Sequence, residues 1–125
     1  MTKDFTVIGL DHVSVTAPEE LEAEVLRWYA EVLGLQRMEK PAGSRPGGGW
    51  FRAGDREVHV AVDPSNPPPS AHFCLTVDDF DATVASLRRD RCHIEQAAEI
   101  AGRRRCFTRD PAGNRIELVA FDASA

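Results

Sequence analysis

The chain has 125 residues, 42% hydrophobic and 28% charged, with a net charge of −5. That length suits one domain, residues 1–125, able to bury a core without disulfide or metal staples. The acidic balance argues against a nucleic-acid or anionic-membrane partner. Three cysteines, Cys74, Cys92 and Cys106, lack CxxC spacing and fit reduced thiols better than a disulfide framework. The opening MTKDFTVIGLDHV has neither the apolar segment nor the cleavage pattern of a secretory signal, and no apolar run approaches a membrane span. Together these features predict a soluble cytoplasmic protein.

Val7 to Thr16 reads as the first strand, with Val13 and Val15 on one face and Leu10, His12, Ser14 and Thr16 on the other. Thr16-Ala17-Pro18-Glu19-Glu20 has the form of a helix start: a hydroxyl cap, an early proline and acids in the first turn. Leu21, Val25, Trp28 and Val32 recur at helical spacing, Trp28-Tyr29 reads as core packing, and Gly34 suits a left-handed stop. A short strand is expected over 35–40. Pro41 to Gly49 reads as a flexible loop; no GK[ST] and no helix follow, so it is not a phosphate cradle. Trp50 to Ala53, a turn at Gly54-Asp55 and Arg56 to Val62 form a hairpin. Val58, Val60 and Val62 share one face of its second strand; Glu57, His59 and Ala61 share the other.

A proline-stiffened connector, residues 63–70, precedes a restart of the pattern. Ala71 to Val77 is a strand with Phe73, Leu75 and Val77 opposed to His72, Cys74 and Thr76. Asp78-Asp79 caps a helix through Phe80, Val84 and Leu87. Strands are expected over 93–97, where His93 reads as a surface residue, and over 104–109. The closing hairpin turns at Asp110 to Asn114, because Pro111 suits the second turn position and Gly113-Asn114 tolerate positive φ. Beyond the turn, Ile116, Leu118 and Ala120 alternate with Arg115, Glu117 and Val119.

The chain therefore repeats strand, helix and three strands, once over about 7–62 and again over about 71–121. Such a repeat implies two similar modules related by a pseudo-twofold. His12 and His72 hold equivalent places in the first strands; His59 and Glu117 hold equivalent places in the last. Taken singly, each is more commonly a satisfied or solvated residue. Four coincidences of parity and repeat position point to a shared role instead, three imidazoles and one carboxylate converging on a divalent ion. Trp50 either lines the space between the modules or packs at a hairpin end. Arg103 and Arg105 share a strand face, placed to pair with a substrate anion or to remain solvated. Cys74 shares the His72 face without a recognisable base partner.

DHVSV, RWYAEVLGL, AHFCLTVDD and FTRDPAGNRIELV, in that order over about residues 8–121, resemble the vicinal oxygen chelate superfamily. That superfamily includes glyoxalase I, fosfomycin-resistance transferases, extradiol dioxygenases and bleomycin-resistance proteins. The resemblance implies an α+β fold of two βαβββ modules forming a cupped mixed sheet around a metal, with modules often paired across a homodimer. It implies His12, His59, His72 and Glu117 as ligands to one divalent transition metal (Fe, Mn, Ni, Co or Zn), with Glu117 or His59 also moving the substrate proton. The function implied is metal-dependent chemistry on a small molecule that chelates through adjacent oxygens. A glyoxalase-like lyase or isomerase is placed ahead of an extradiol dioxygenase. The alternative is a non-enzymatic protein that sequesters a drug or metabolite, although bleomycin-binding relatives lack the metal ligands. This chain departs from the family's patterns at two points. His59 stands where glyoxalase I has an acid or amide, and fosfomycin-resistance enzymes and extradiol dioxygenases use only the positions of His12, His72 and Glu117. Arg91 stands where the second helix usually ends on Gly.

Overall fold

The computed structural model describes residues 4–6, 8–64 and 71–121, so most of the connector expected at 63–70 lies outside the described residues. The elements follow the anticipated repeat: β1 (His12–Ala17), α1 (Glu22–Arg27), β2 (Gln36–Met38), β3 (Gly49–Ala53) and β4 (Arg56–Val62), then β5 (His72–Thr76), α2 (Phe80–Arg89), β6 (Glu95–Gln96), β7 (Arg103–Arg109) and β8 (Arg115–Phe121). They build two four-stranded sheets, ordered β1-β4-β3-β2 and β5-β8-β7-β6. In each sheet the first strand joins the last in parallel while the other pairs are antiparallel. Parallel neighbours need a crossover, and α1 and α2 supply it. The fold is α+β, with paired βαβββ modules. Among the described residues no helix is long and apolar enough to cross a membrane.

Three local expectations are corrected. β1 begins at His12 rather than Val7, because its partner β4 begins at Arg56 and the register sets His12 against Glu57. Val7 lies outside the described residues; among the described residues before His12 none pairs with a strand, and Ile8 and Leu10 are 94% and 72% exposed. Thr16 does not cap the first helix, since it is held in β1 opposite Ala61. The chain instead enters α1 through a 3₁₀ turn at Glu19–Leu21 behind Pro18, with no side-chain cap bond. The strand expected over 93–97 is reduced to Glu95–Gln96.

α1 continues into a π-helical turn, Trp28–Val32, which brings the consecutive Trp28 and Tyr29 into the core. Gly34 then takes the left-handed conformation, with φ +70°. At α2 the Asp79 carboxylate accepts a 3.0 Å hydrogen bond from the Ala82 N–H, the expected cap. Just past the helix, Arg91 takes φ +59° while the Cys92 N–H donates to the Leu87 carbonyl at 2.9 Å. This is a left-handed closure made without the usual glycine.

Alternation decides the core. Val15, Val58, Val60 and Phe51 pack with Val25 and Tyr29 in the first module, and Ile116, Leu118 and Cys106 pack with Phe80, Val84 and Leu87 in the second. Each large apolar side chain fully buried there contributes about 1.5–3 kcal/mol.

A buried polar hub ties the modules together. The Tyr29 hydroxyl donates to Asp110 Oδ2 at 2.9 Å, and Asn114 Nδ2 donates to the same oxygen at 2.8 Å. Asp110 Oδ1 accepts from the Ala112 and Asn114 N–H groups, each at 2.9 Å. Asn114 Nδ2 also reaches the Thr16 carbonyl in β1 at 2.8 Å. The closing turn of the second module is thus bonded to both the helix and the first strand of the first module. Burial pushes the Asp110 carboxyl above its ordinary range, opposed by its hydrogen bonds from Asn114 and Tyr29. Burial, and next the facing Asp110, push the Tyr29 hydroxyl well above 10.0.

Candidate metal centre

On the first sheet, the parallel register of β1 and β4 sets Ser14 against His59, which leaves His12 diagonal to His59 on the same face. The two imidazoles stack at 4.0 Å between centroids and 15° between planes. Trp50, directly opposite His59 across the β3–β4 pair, stacks on that ring at 3.9 Å and 5°. His59 is therefore the middle ring of a three-ring stack and only 8% exposed. Its Nε2 lies 2.9 Å from Glu57 Oε1, and His12 Nδ1 lies 2.8 Å from Asp11 Oδ2. Of the two positions left open for Trp50, the structure places it against His59, on the candidate donors' face.

The second sheet repeats the diagonal. Cys74 pairs with Glu117 in register, and His72, one step along the same face, brings Nε2 to 3.1 Å from Glu117 Oε1. Phe107, opposite Glu117 on β7, meets the His72 ring edge-on at 5.1 Å. Arg105 Nη1 stands 3.5 Å from Glu117 Oε2, while its Nε donates to the Ala98 carbonyl at 2.8 Å. Burial, followed by the Glu117 carboxylate, pushes the Cys74 thiol up to about 11, against the pull of Arg103 and Arg105. A thiol so raised stays protonated near neutrality and is no nucleophile. His93 is exposed, as its sequence context suggests.

The four candidate donors thus form two contacting pairs, His12 with His59 and His72 with Glu117, one on each sheet. Within one chain, no three described His, Cys, Asp or Glu side chains gather at metal-binding spacing. Chemically the donor set fits a borderline divalent ion, since imidazole and carboxylate are its ordinary ligands. Spatially, each sheet offers half of such a set. Glu57 and Asp11 escaped the sequence reading. The faint signal was Glu57 two residues before His59, hence on the same strand face.

A cleft of about 1040 Å³ opens where the β3–β4 hairpin end approaches β5 and α2, bounded by Leu10, His12, Arg56, Phe73, Cys74 and Leu87. Of the four candidate donors only His12 borders it, so this large space is not where the two pairs meet.

Residues 9–118 match the model of the Glyoxalase/Bleomycin resistance protein/Dioxygenase superfamily. No curated protein matches. Among solved structures, a glyoxalase family protein from Bacillus anthracis is 30% identical, with a TM-score of 0.88 covering 96% of this chain and 100% of that one. The antibiotic-binding protein TnmS3 from Streptomyces sp. CB03234 is 22% identical, with a TM-score of 0.74 covering 94% of this chain and 100% of that one. A lactoylglutathione lyase from Agrobacterium tumefaciens is also 22% identical, with a TM-score of 0.69 covering 94% and 96%. At those lower identities the likeness is one of fold. With the family match spanning nearly the whole sequence and the two βαβββ modules in place, the chain belongs to the Glyoxalase/Bleomycin resistance protein/Dioxygenase superfamily.

Proposed function

We propose that this protein is a divalent-metal-dependent enzyme acting on a small molecule that chelates through adjacent oxygens. The ion would be held by His12 and His59 of one protomer together with the equivalents of His72 and Glu117 from a second copy. The observation that carries this reading is the division of the donors into two contacting pairs on two sheets. The Tyr29–Asp110 and Asn114–Thr16 bonds fix the two modules of one chain to each other, which favours assembly by a second copy over rearrangement within one chain.

A bound ion supplies Lewis-acid stabilisation of an oxyanion developing on the substrate. Glu117 or His59 would take a proton from the carbon beside that oxyanion and return it, and Arg105 Nη1 stands 3.5 Å from Glu117 Oε2. His59, walled by Trp50, keeps water from one side of the centre. Arg103 and Arg105, on one face of β7, suit a carboxylate on the substrate. A fourth protein donor occupies a position that oxygen chemistry at a two-histidine, one-carboxylate centre leaves open. That favours a lyase or isomerase over an extradiol dioxygenase. The thiols of Cys74, Cys92 and Cys106 are free, which supports a reducing cytoplasmic setting.

The test is elemental analysis of protein purified without chelator, alongside His72→Ala and Glu117→Ala. About one equivalent of transition metal per chain, lost in both variants, supports the site. Wild-type protein that is metal-free and ignores added Mn²⁺, Fe²⁺, Ni²⁺ and Zn²⁺ contradicts it. The remaining reading is then a sequestering protein, on a fold shared with an antibiotic-binding relative.

A further inference from the structure

We infer that Glu57 and Asp11 form an outer shell that decides which atom each neighbouring imidazole presents: Nδ1 of His59 and Nε2 of His12. The inference rests on the metal-site reading above and extends it to residues that reading does not use.

One rule applies on β1 and β4: each imidazole has two nitrogens, and one already faces a carboxylate. For His59 that atom is Nε2, 2.9 Å from Glu57 Oε1, in a pair whose side chains are only 11% and 22% exposed. The Trp50 and His12 rings clamp the imidazole on both faces, so it cannot turn over without breaking the stack. The proton therefore sits on Nε2, and the lone pair on Nδ1. For His12 the choice is reversed. Nδ1 donates to Asp11 Oδ2 at 2.8 Å, which leaves Nε2 to ligate. On the second sheet both Glu117 oxygens are engaged, Oε1 by His72 Nε2 at 3.1 Å and Oε2 by Arg105 Nη1 at 3.5 Å, so no such choice is set there.

Glu57 stands two residues before the imidazole of β4, on the same strand face. An imidazole that donates its far N–H to a carboxylate is oriented and becomes a stronger donor at its near nitrogen. Glu57 is thus a positioning residue, and the sheltered Glu57–His59 pair matters more than Asp11–His12, whose acid is 88% exposed.

Two measurements test this. Long-range ¹H–¹⁵N spectra of the metal-free protein, at a pH where the imidazoles are neutral, are expected to show the Nε2–H tautomer for His59 and the Nδ1–H tautomer for His12. Chelator competition for Zn²⁺ is expected to show roughly 10- to 100-fold weaker binding in Glu57→Ala. Glu57→Gln, which keeps an acceptor without the charge, is expected to fall in between, and Asp11→Ala to lose least. A matching thermal melt of Glu57→Gln separates these losses from misfolding. The opposite His59 tautomer overturns the inference, as does unchanged Zn²⁺ affinity in Glu57→Ala. A loss in Glu57→Gln as large as in His59→Ala also overturns it, by making Glu57 a ligand itself. Wild-type protein that takes up no Zn²⁺ overturns the metal reading beneath it, a result distinct from any of these.

Discussion

The Tyr29 hydroxyl and the Asp110 carboxylate, 81 positions apart in sequence, meet at 2.9 Å in the interior. Asp110 accepts four hydrogen bonds there and joins the second module's closing turn to the first module's helix. Removing one donor leaves the rest satisfied, so Tyr29→Phe is expected to lower unfolding free energy by about 1–2 kcal/mol. Asp110→Ala strands several buried donors at once and is expected to lose at least ~3 kcal/mol. Urea unfolding of both variants checks the order. Equal losses would mean that Asp110 serves only Tyr29.

The same carboxylate sets a pH dependence. Burial raises Asp110 above its ordinary 3.8, so the folded state binds that proton more tightly than the unfolded chain. Stability contributed by this group therefore falls as pH rises from 3.8 through the raised folded value, and is level above it. Asp11 and Asp81 act in the opposite sense below 3.8, held down first by hydrogen bonds to His12 and Arg104, but both are exposed. Asp110→Asn should abolish the decline above 3.8 while sparing the rise below it. Unfolding free energy measured across acid pH in both proteins decides this.

Strand alternation carried much of this architecture. A period of two assigned His12, His59, His72 and Glu117 to one face of their strands, and the repeat gave them equivalent places in the two modules. The structure brings His12 to His59 and His72 to Glu117 as contacting pairs. Alternation says nothing about how two sheets are placed, so the separation of the pairs was invisible. It equally hid the Tyr29–Asp110 bond, because a side chain reaching across 81 positions has no local periodicity. The early start of β1 failed for a related reason. An apolar Ile8–Leu10 looks like strand, but a strand needs a partner, and β4 starts too late to serve. Thr16 failed as a cap because sheet pairing already held it.

Arg91 offers a test of local strain. It closes α2 at φ +59°, a conformation that disfavours any residue with a Cβ. Arg91→Gly is expected to raise stability by about 1 kcal/mol, partly offset by the greater freedom of glycine in the unfolded chain. A thermal shift upward in the variant confirms the strain. No gain, or a loss, would show that the arginine side chain contributes more than its backbone costs.

A metal centre shared between two copies, as proposed, can be tested by mixing two crippled proteins. His12→Ala/His59→Ala retains only the second module's donors, and His72→Ala/Glu117→Ala retains only the first module's. Each alone should bind no transition metal. Unfolded together and refolded at equal concentration, half the dimers should be mixed and one site in each complete, restoring roughly a quarter of the wild-type metal content. Mixed dimers seen by native mass spectrometry with no recovered metal would contradict the account, as would wild-type protein that binds its full complement as a monomer.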